Sequence, residues 1–558
     1  MEGGHPGADD HIMNVNESSM NENTSSPAPH GAAPDRTSVL IVGGSIVGVS
    51  AALFLAARGV TPILVERHTG ISPRLRAKLF YPRTMEAYRA VGAADDIYAI
   101  ERDRPRSEFA AVVESLAGAE IRRWRLPAAE DHSAVSPCQG AMVKQGDAER
   151  VLRTRAAADG ADLRFGHRFV DWEQNAHRVT ARVLDDRSVP YTVEADYLLA
   201  ADGSASSIRE RLGIAQRGDL TLAHSMELAF NADLRPVLEG RALALAFADQ
   251  PGRPFISWTT EQDTGAVSVG YDPATTDPDT AFTPDRCQAV VSAALGLPAS
   301  AFRITGARPW QMSAWVAGTY REGRVFLVGD AAHVCPPVGG FGANTGIQDA
   351  WNLTAKLVSV LRGHAGAGLL DRYEPERRPV AELTVRQSVQ RLAGAREQVS
   401  GGGQLLSEAA VAGGYRYPAP VVDAVGSSAG TPLPWADEPD RWRAEPGTRL
   451  PHRPLEAAAG SSTLDLVRGG RHALLTGRQG WSWAEAARAL DPDHAVLDTV
   501  VLTPQALAPG ASFTDRCGIG EDGAVLVRPD GVVCWRAAHA ARAPHAVLKD
   551  VLQQALLQ

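Results

Sequence analysis

Four consecutive apolar residues, Val39-Leu40-Ile41-Val42, lead into Gly43-Gly44. An unbroken apolar run closed by turn residues reads as a parallel strand buried on both faces. Apolar spacing then predicts a helix over 46–58, ended by Gly59, and Pro62-Ile63-Leu64-Val65-Glu66 predicts a second buried strand. Strand, turn, helix and strand within about 30 residues make a βαβ unit. Residues 107–125 alternate apolar and polar, 148–159 read as a helix, and 160–202 read as strands around the hairpin signal Asp185-Asp186. Short strands at 224–234, 242–247, 254–260 and 265–271 make the stretch 216–308 β-rich. The buried-strand pattern returns at 324–328. A helix over 344–362 follows, with its apolar stripe on Ile347, Trp351, Leu353, Leu357, Val358 and Leu361, and another covers 378–396. Beyond a loose Gly/Ser/Pro-rich stretch at 400–434, strand and helix signals resume at 473–475, 483–490, 496–502, 524–527 and 532–535.

At 558 residues the chain exceeds one ordinary core, so two or three domains are expected. The pattern divides it as an α/β protein. A Rossmann-type unit takes 37–106, 139–215 and 309–400, a β-rich unit is inserted from 107–138 and 216–308, 401–446 is a linker or irregular connection, and 447–558 is a small α/β unit. Residues 1–36 are Gly, Asn, Ser, Pro and acidic residues that cannot bury enough surface to order, so they read as a disordered tail. That tail has no positively charged start leading into an apolar stretch, so the cytoplasm is the expected address. The net charge of −9 gives no attraction to nucleic acid or anionic lipid. The longest apolar run, around 47–57, falls short of the ~18–20 residues of a membrane span. The five cysteines are scattered without a C-x-x-C pair, and the histidines show no ligand spacing, so no metal and no disulfide framework are expected.

The turn after the first strand is Gly43-Gly44-Ser45-Ile46-Val47-Gly48, which matches G-x-G-x-x-G with Ser45 at the second glycine. Its first glycine permits the tight turn, its third lets helix and strand pack closely, and the N–H groups opening the helix face phosphates. Alone, the motif is a weak signal, since a glycine turn before a core helix is the competing reading. Glu66 stands at the end of the second strand, about 20 residues on, where a ribose-binding carboxylate belongs. Two further strands each end in a small acidic motif, Asp202-Gly203 and Gly329-Asp330. Either could be a plain turn; together they suit an extended cofactor needing carboxylates for its hydroxyls and close backbone approach.

These motifs, in this order, resemble the class A flavoprotein monooxygenases, the group of para-hydroxybenzoate hydroxylase. The resemblance extends through Ser72-Pro73-Arg74-Leu75-Arg76, Pro82-Arg83-Thr84-Met85-Glu86, Gln145 and Tyr373-Glu374-Pro375-Glu376-Arg377-Arg378-Pro379, and so covers about 37–400. In detail the chain is most similar to hydroxylases of aromatic polyketides of the tetracenomycin and anthracycline types. The C-terminal unit resembles the thioredoxin-like appendage of such enzymes, although without C-x-x-C it does not support dithiol exchange.

The resemblance implies FAD, with NAD(P)H and O2 as co-substrates, and hydroxylation of a phenolic polyketide through a flavin C4a-hydroperoxide. Gly43, Ser45, Ile46, Val47 and Gly48 would lie along the pyrophosphate, with Glu66 on the adenosine ribose and Arg67 beside it. Arg76 and Gln145 would contact flavin or phosphates, Asp330 (after Gly329) the ribityl chain, and Asp202-Gly203 both FAD and NAD(P)H. Arg76, with Arg74 nearby, is the candidate nicotinamide contact. The run from Pro336 to Asn344, with Pro337, Gly340, Gly342 and Ala343, would approach the flavin ring. A helix starting at about Asn344 would aim its positive end where negative charge collects. No protein acid or base is needed, because the cofactor carries the hard step; His333 and Cys335 read as packing and loop residues. Met226, Phe255, Trp258 and Tyr271 could line a substrate site on the β-rich sheet, or simply pack its core. The expected partner is a small aromatic molecule, and the protein a monomer or homodimer. Baeyer–Villiger oxygenation of a polycyclic ketone, a flavin protein without turnover and a plain NAD-dependent dehydrogenase are the competing readings.

Overall fold

The computed structural model describes residues 33–72, 76–102, 108–126, 130–259, 261–396, 405–418, 435–456, 461–467, 469–508, 510 and 512–557. Most of the expected N-terminal tail, Arg74 and most of the 400–434 stretch lie outside them.

The apolar run 39–42 forms the buried end of the strand Asp35–Val42, which starts inside the stretch expected to be tail because Asp35–Thr37 already pair with Val193–Ala195. It sits mid-sheet. Strands Val325–Leu327, Pro190–Ala200, Asp35–Val42, Ile63–Glu66 and Asp162–Phe165 run side by side and parallel, the Rossmann arrangement. Helices Ile46–Ala56, Gln145–Ala158 and Phe341–Leu361 pack together. Helix Ile46–Ala56 is buried nearly all round, which explains its lack of a polar face. The apolar pattern does not reveal helices Pro82–Ala90 and Ala94–Arg102, whose sequences are charged and short.

The second sheet takes its strands from both expected β-rich segments. Glu120–Arg125, Phe109–Val113, Leu243–Ala248, Phe255–Trp258, Thr264–Tyr271, Gln216–Ala232 and Phe302–Ala317 lie in that order, with His333–Val334 at the far edge. Phe302–Ala317 runs past residue 308, where the sequence reading closes the β-rich region, because it stays paired with Gln216–Ala232 along almost its whole length. Helix Pro284–Leu295 covers one face of the sheet and shares its core. It starts on Thr283, whose side chain accepts the Arg286 N–H, and ends at Gly296 in the left-handed region.

In the C-terminal unit the strand order is Leu497–Val501, His472–Thr476, Ala524–Val527, Val533–Ala537; the first pair is parallel, the rest antiparallel. Helices Trp481–Leu490 and Pro544–Leu556 share a core with one face, the thioredoxin-like βαβ–ββα arrangement. Cys517 and Cys534 belong to the cores on opposite faces of this sheet, and burial pushes both thiols up to about 12. A dithiol there is excluded by position. The unit is docked by ion pairs, a buried one from Arg528 to Glu376 at 2.6 Å and a part-buried one from Arg89 to Asp465 at 2.8 Å. The expected irregular connection contributes a helix, Glu408–Gly413, and the buried rings of Tyr415 and Tyr417.

Candidate functional site

Parallel register brings the motifs to one height. Val42 lies beside Ala200 and Val65, and Ala200 beside Leu327. The glycine turn, Glu66, Asp202-Gly203 and Gly329-Asp330 therefore meet at the carboxyl edge of the sheet, where open α/β sheets hold ligands. The glycines are needed for close approach. A Cβ on Gly43 (φ +107°) would stand 2.2 Å from the Ala201 carbonyl oxygen, and one on Gly48 1.9 Å from that of Gly43. Gly346 lets helix Phe341–Leu361 approach the Gly329 loop: a Cβ there would meet the Gly329 Cα at 2.8 Å and Val47 at 2.8 Å.

Glu66 accepts the Gly44 N–H at 2.7 Å and the His68 N–H at 2.8 Å. Burial pushes its carboxyl up, but these bonds and the His68 ring outweigh that and hold it below its usual range. Arg67 follows, exposed. Beneath the turn, Ser45 and Gln145 are joined by Glu149 and Arg153, which the sequence motifs do not include. Ser45 Oγ donates to Glu149 Oε1 at 2.9 Å, while Gln145 Nε2 donates to Ser45 Oγ at 3.0 Å and to Glu149 at 2.8 Å. Arg153 donates to the Gly44 carbonyl at 3.1 Å and stands 3.7 Å from Glu149. Gln145, Glu149 and Arg153 are spaced i, i+4, i+8 on one helix, so this polar stripe was readable; its target, 104 residues earlier, was not. Ser45→Ala removes one donor from a buried carboxylate, and FAD affinity should fall about tenfold (~1–1.5 kcal/mol) in a fluorescence titration.

Two carboxylates at this edge keep an oxygen open toward it, although Asp202 Oδ2 accepts the Ile208 N–H at 3.4 Å. Asp202 Oδ1 is buried and has no hydrogen-bond partner among the described residues, and burial pushes this carboxyl up. Asp330 is solvent-accessible yet closely surrounded, the position of a side chain in a cleft; burial raises it, against the charges of His333 and Arg76. The charge of Arg76 thus acts on Asp330. The orphaned Asp202 Oδ1, accessible Asp330 and the glycine cradle fit a long molecule with hydroxyls and phosphates.

The 336–344 loop departs from expectation in one respect. The helix begins at Phe341, not Asn344, because Gly339 (φ +89°) and Gly340 (φ +66°) turn the chain sharply after Pro337. Asn344 is buried, with Oδ1 accepting the Tyr81 N–H at 2.9 Å and Nδ2 donating to the carbonyls of Leu79 at 2.8 Å and Gly340 at 2.9 Å. Its side chain clamps loop to strand and is not available to a cofactor. The N–H groups without intrahelical acceptors are those around Phe341, Gly342 and Ala343. His333 is held by Asp349 at 2.6 Å, and Arg377 meets the other oxygen of Asp349 at 2.7 Å. Burial pushes the Cys335 thiol up to about 12. Neither His333 nor Cys335 is placed as a free acid or nucleophile.

Met226, Trp258 and Tyr271 lie in or against the core under helix Pro284–Leu295, so packing accounts for them. Phe255 is on the opposite face. Leu79 and Met142 pack near Ala110 and Leu245 on that face, which therefore looks toward the glycine loop. It carries the ring row Trp124, Phe247 and Phe255, with centroids 6.2 and 5.2 Å apart. Lys78 joins the two units, donating to the carbonyls of Ala244 and Trp258 at 2.8 Å each.

The chain matches the family model for an FAD binding domain over residues 36–388 and that for an aromatic-ring hydroxylase C-terminal domain over 443–556. It is 37% identical to the 4-methyl-5-nitrocatechol 5-monooxygenase of Burkholderia sp over 538 residues, 93% of this chain and 97% of that one. It is likewise 37% identical to the tetracenomycin B2 monooxygenase-dioxygenase of Streptomyces olivaceus, over 93% of this chain and 98% of the relative. The crystal structure of aklavinone-11 hydroxylase with FAD and aklavinone superposes with a TM-score of 0.86 at 34% identity, covering 94% of this chain and all of the other.

Proposed function

The chain belongs to the FAD-dependent monooxygenases that carry the aromatic-ring hydroxylase C-terminal domain, and on that premise we propose that it hydroxylates a phenolic, multi-ring polyketide at the expense of NAD(P)H and O2. The observation that carries the reading is the row Trp124, Phe247, Phe255 on the sheet face turned toward the glycine loop. A platform of rings suits a flat fused-ring substrate, since stacked aromatic contacts add to area burial. Bound FAD supplies the activation of O2.

The chain's own residues do the rest. Gly43, Ser45, Ile46, Val47 and Gly48 hold the pyrophosphate, with Glu149 and Gln145 fixing Ser45 from below. Glu66 takes the adenosine ribose, Asp330 the ribityl hydroxyls, and Asp202-Gly203 the junction between them. The first N–H groups of helix Phe341–Leu361 favour negative charge on the ring edge they face. Sheet and loop together exclude water. Lys78 adds a cation at the seam. Its ammonium is spent on the Ala244 and Trp258 carbonyls, so it ties the two units together at this seam, and burial lowers its pKa to about 8.

The deciding experiment incubates the yellow enzyme with NADPH, labelled O2 and two substrate sets, fused-ring phenols and single-ring catechols. The proposal requires one labelled oxygen in a new hydroxyl of a fused-ring product, coupled to NADPH loss. Turnover of catechols alone would overturn the polyketide assignment, and oxygen inserted into a ring would replace hydroxylation by Baeyer–Villiger chemistry.

A further inference from the structure

A polar cavity of about 300 Å³ opens at the far end of helix Ile46–Ala56, between the FAD-binding and C-terminal units. At about 1.5 Å per residue, this helix sets the cavity some 16 Å from the glycine turn. The walls include Arg58, Val91, Asp159 and Trp351 from the first unit, and Gly469 and Gly470 from the second. Arg58 is only 5% exposed. Its guanidinium lies over the Trp351 ring at 3.9 Å, and Nη1 makes only long bonds to neutral oxygens, 3.3 Å to the Phe54 carbonyl and 3.4 Å to Thr354. Among the described residues no carboxylate forms an ion pair with it. The acid whose charge acts on it, Asp530, is already bound to Arg528 and Asn352.

Arg362 stands beside it. It donates to the Gly469 carbonyl at 3.2 Å and to the Arg58 carbonyl, and it too lacks an ion pair among the described residues. A Cβ on Gly470 would meet both side chains at 3.5 Å. Arg58, buried and short of partners, thus lines the cavity, the Arg362 guanidinium lies close to its Gly470 wall, and among the described residues the acid lining it is the exposed Asp159. A buried cation without a counter-charge is unfavourable, and the guanidinium fork matches the geometry of an oxyanion.

We propose that this cavity binds a small oxyanion of the phosphate class, with Arg58 and Arg362 as its cationic ligands. The anion could be free phosphate or the phosphate of a nucleotide. The volume accommodates either phosphate alone or phosphate with part of its ester, and ligand contacts to both units would hold them together. Burial adds to the case by lowering Arg58 to about 10, a penalty on its charge that a bound anion would relieve.

The test uses the full-length FAD-loaded enzyme in a phosphate-free buffer at constant ionic strength. Calorimetric titrations are run with inorganic phosphate and, in a separate arm, with adenosine 5′-monophosphate. Saturable binding is expected, weakened about tenfold or more in Arg362→Gln, a loss of order 1.4 kcal/mol. Asp159→Asn removes the opposing charge and should tighten binding severalfold. Arg58→Gln should abolish it; if that variant fails to fold, the other two still decide. Equal affinity in both arms marks a free-anion site, and tighter nucleotide binding marks a nucleotide site. Absence of saturable binding, or binding unchanged in both Arg362→Gln and Asp159→Asn, overturns the proposal. The flavin absorbance reports cofactor loading independently in every sample.

Discussion

Gly48→Ala should give a colourless protein. The added Cβ would stand 1.9 Å from the Gly43 carbonyl oxygen, closer than any contact a side chain tolerates, and the obstacle is backbone that no rotamer change can move. The helix must shift away from the strand or the turn must open, and either change misplaces the N–H groups proposed to face the pyrophosphate. Overpacking of this kind costs up to about 3 kcal/mol, which in FAD affinity is roughly a hundredfold. Absorbance near the flavin maximum and a fluorescence titration of apoprotein with FAD measure it. Gly203→Ala is the internal control. Gly203 also has positive φ (+88°), but a Cβ there meets nothing within 4 Å, so only the strain of about 1–2 kcal/mol remains. Wild-type FAD affinity in Gly48→Ala would remove the glycine turn from the cofactor site.

Asp349→Asn is expected to destabilise the enzyme by about 3–5 kcal/mol, because it leaves the fully buried guanidinium of Arg377 without its counter-charge. Arg377 would keep its bonds to the Tyr417 hydroxyl and the Thr345 carbonyl, but not its only ion pair among the described residues. The same carboxylate receives His333 and the Gly329 N–H, so the Gly329-Asp330 loop should loosen with it. Denaturant midpoints of the FAD-loaded wild type and variant, followed by tryptophan and by flavin fluorescence, measure both effects. The pH dependence has a definite sign. Burial alone would raise Asp349, but Arg377 and His333 hold its pKa below the unfolded value. Its stabilising contribution is therefore complete above about pH 4 and is lost as pH falls through the lowered folded value. The variant should lack that component of acid denaturation. An equal acid midpoint in both proteins would show that the triad does not support the loop.

How far the site could be read beforehand depends on where each partner sits in the chain. Gly43, Gly48 and Glu66 belong to one βαβ unit of short connections, so their spacing alone places them around one turn. Glu149 and Arg153 escaped notice because what they touch, Ser45 and Gly44, comes from another element a hundred residues earlier. The sequence places Asn344 at the start of a helix, and the family resemblance makes it a cofactor contact. Two consecutive left-handed glycines start the helix at Phe341 and leave Asn344 inside its first turn, clamped to Tyr81 and Leu79. Nothing local distinguishes those glycines from ordinary loop glycines. The stretch expected to be irregular holds Tyr415 and Tyr417, whose burial depends on Arg377 and on helix Tyr373–Arg396.

The β-rich sheet marks the boundary most clearly. Alternation along a strand tells which residues share a face, and Met226, Trp258 and Tyr271 do share one. It cannot tell which face looks at the glycine loop. Helix Pro284–Leu295 covers the face with these residues, leaving Phe255, Phe247 and Trp124 on the other. Local pattern decided the strands, the glycine turn and the order of the motifs, because steric and backbone requirements act over a few residues. Tertiary structure alone decided the level meeting of the three loops, the inward face of the sheet and the pairing of the buried charges. Those depend on contacts between segments hundreds of residues apart, and sequence spacing carries no information about them.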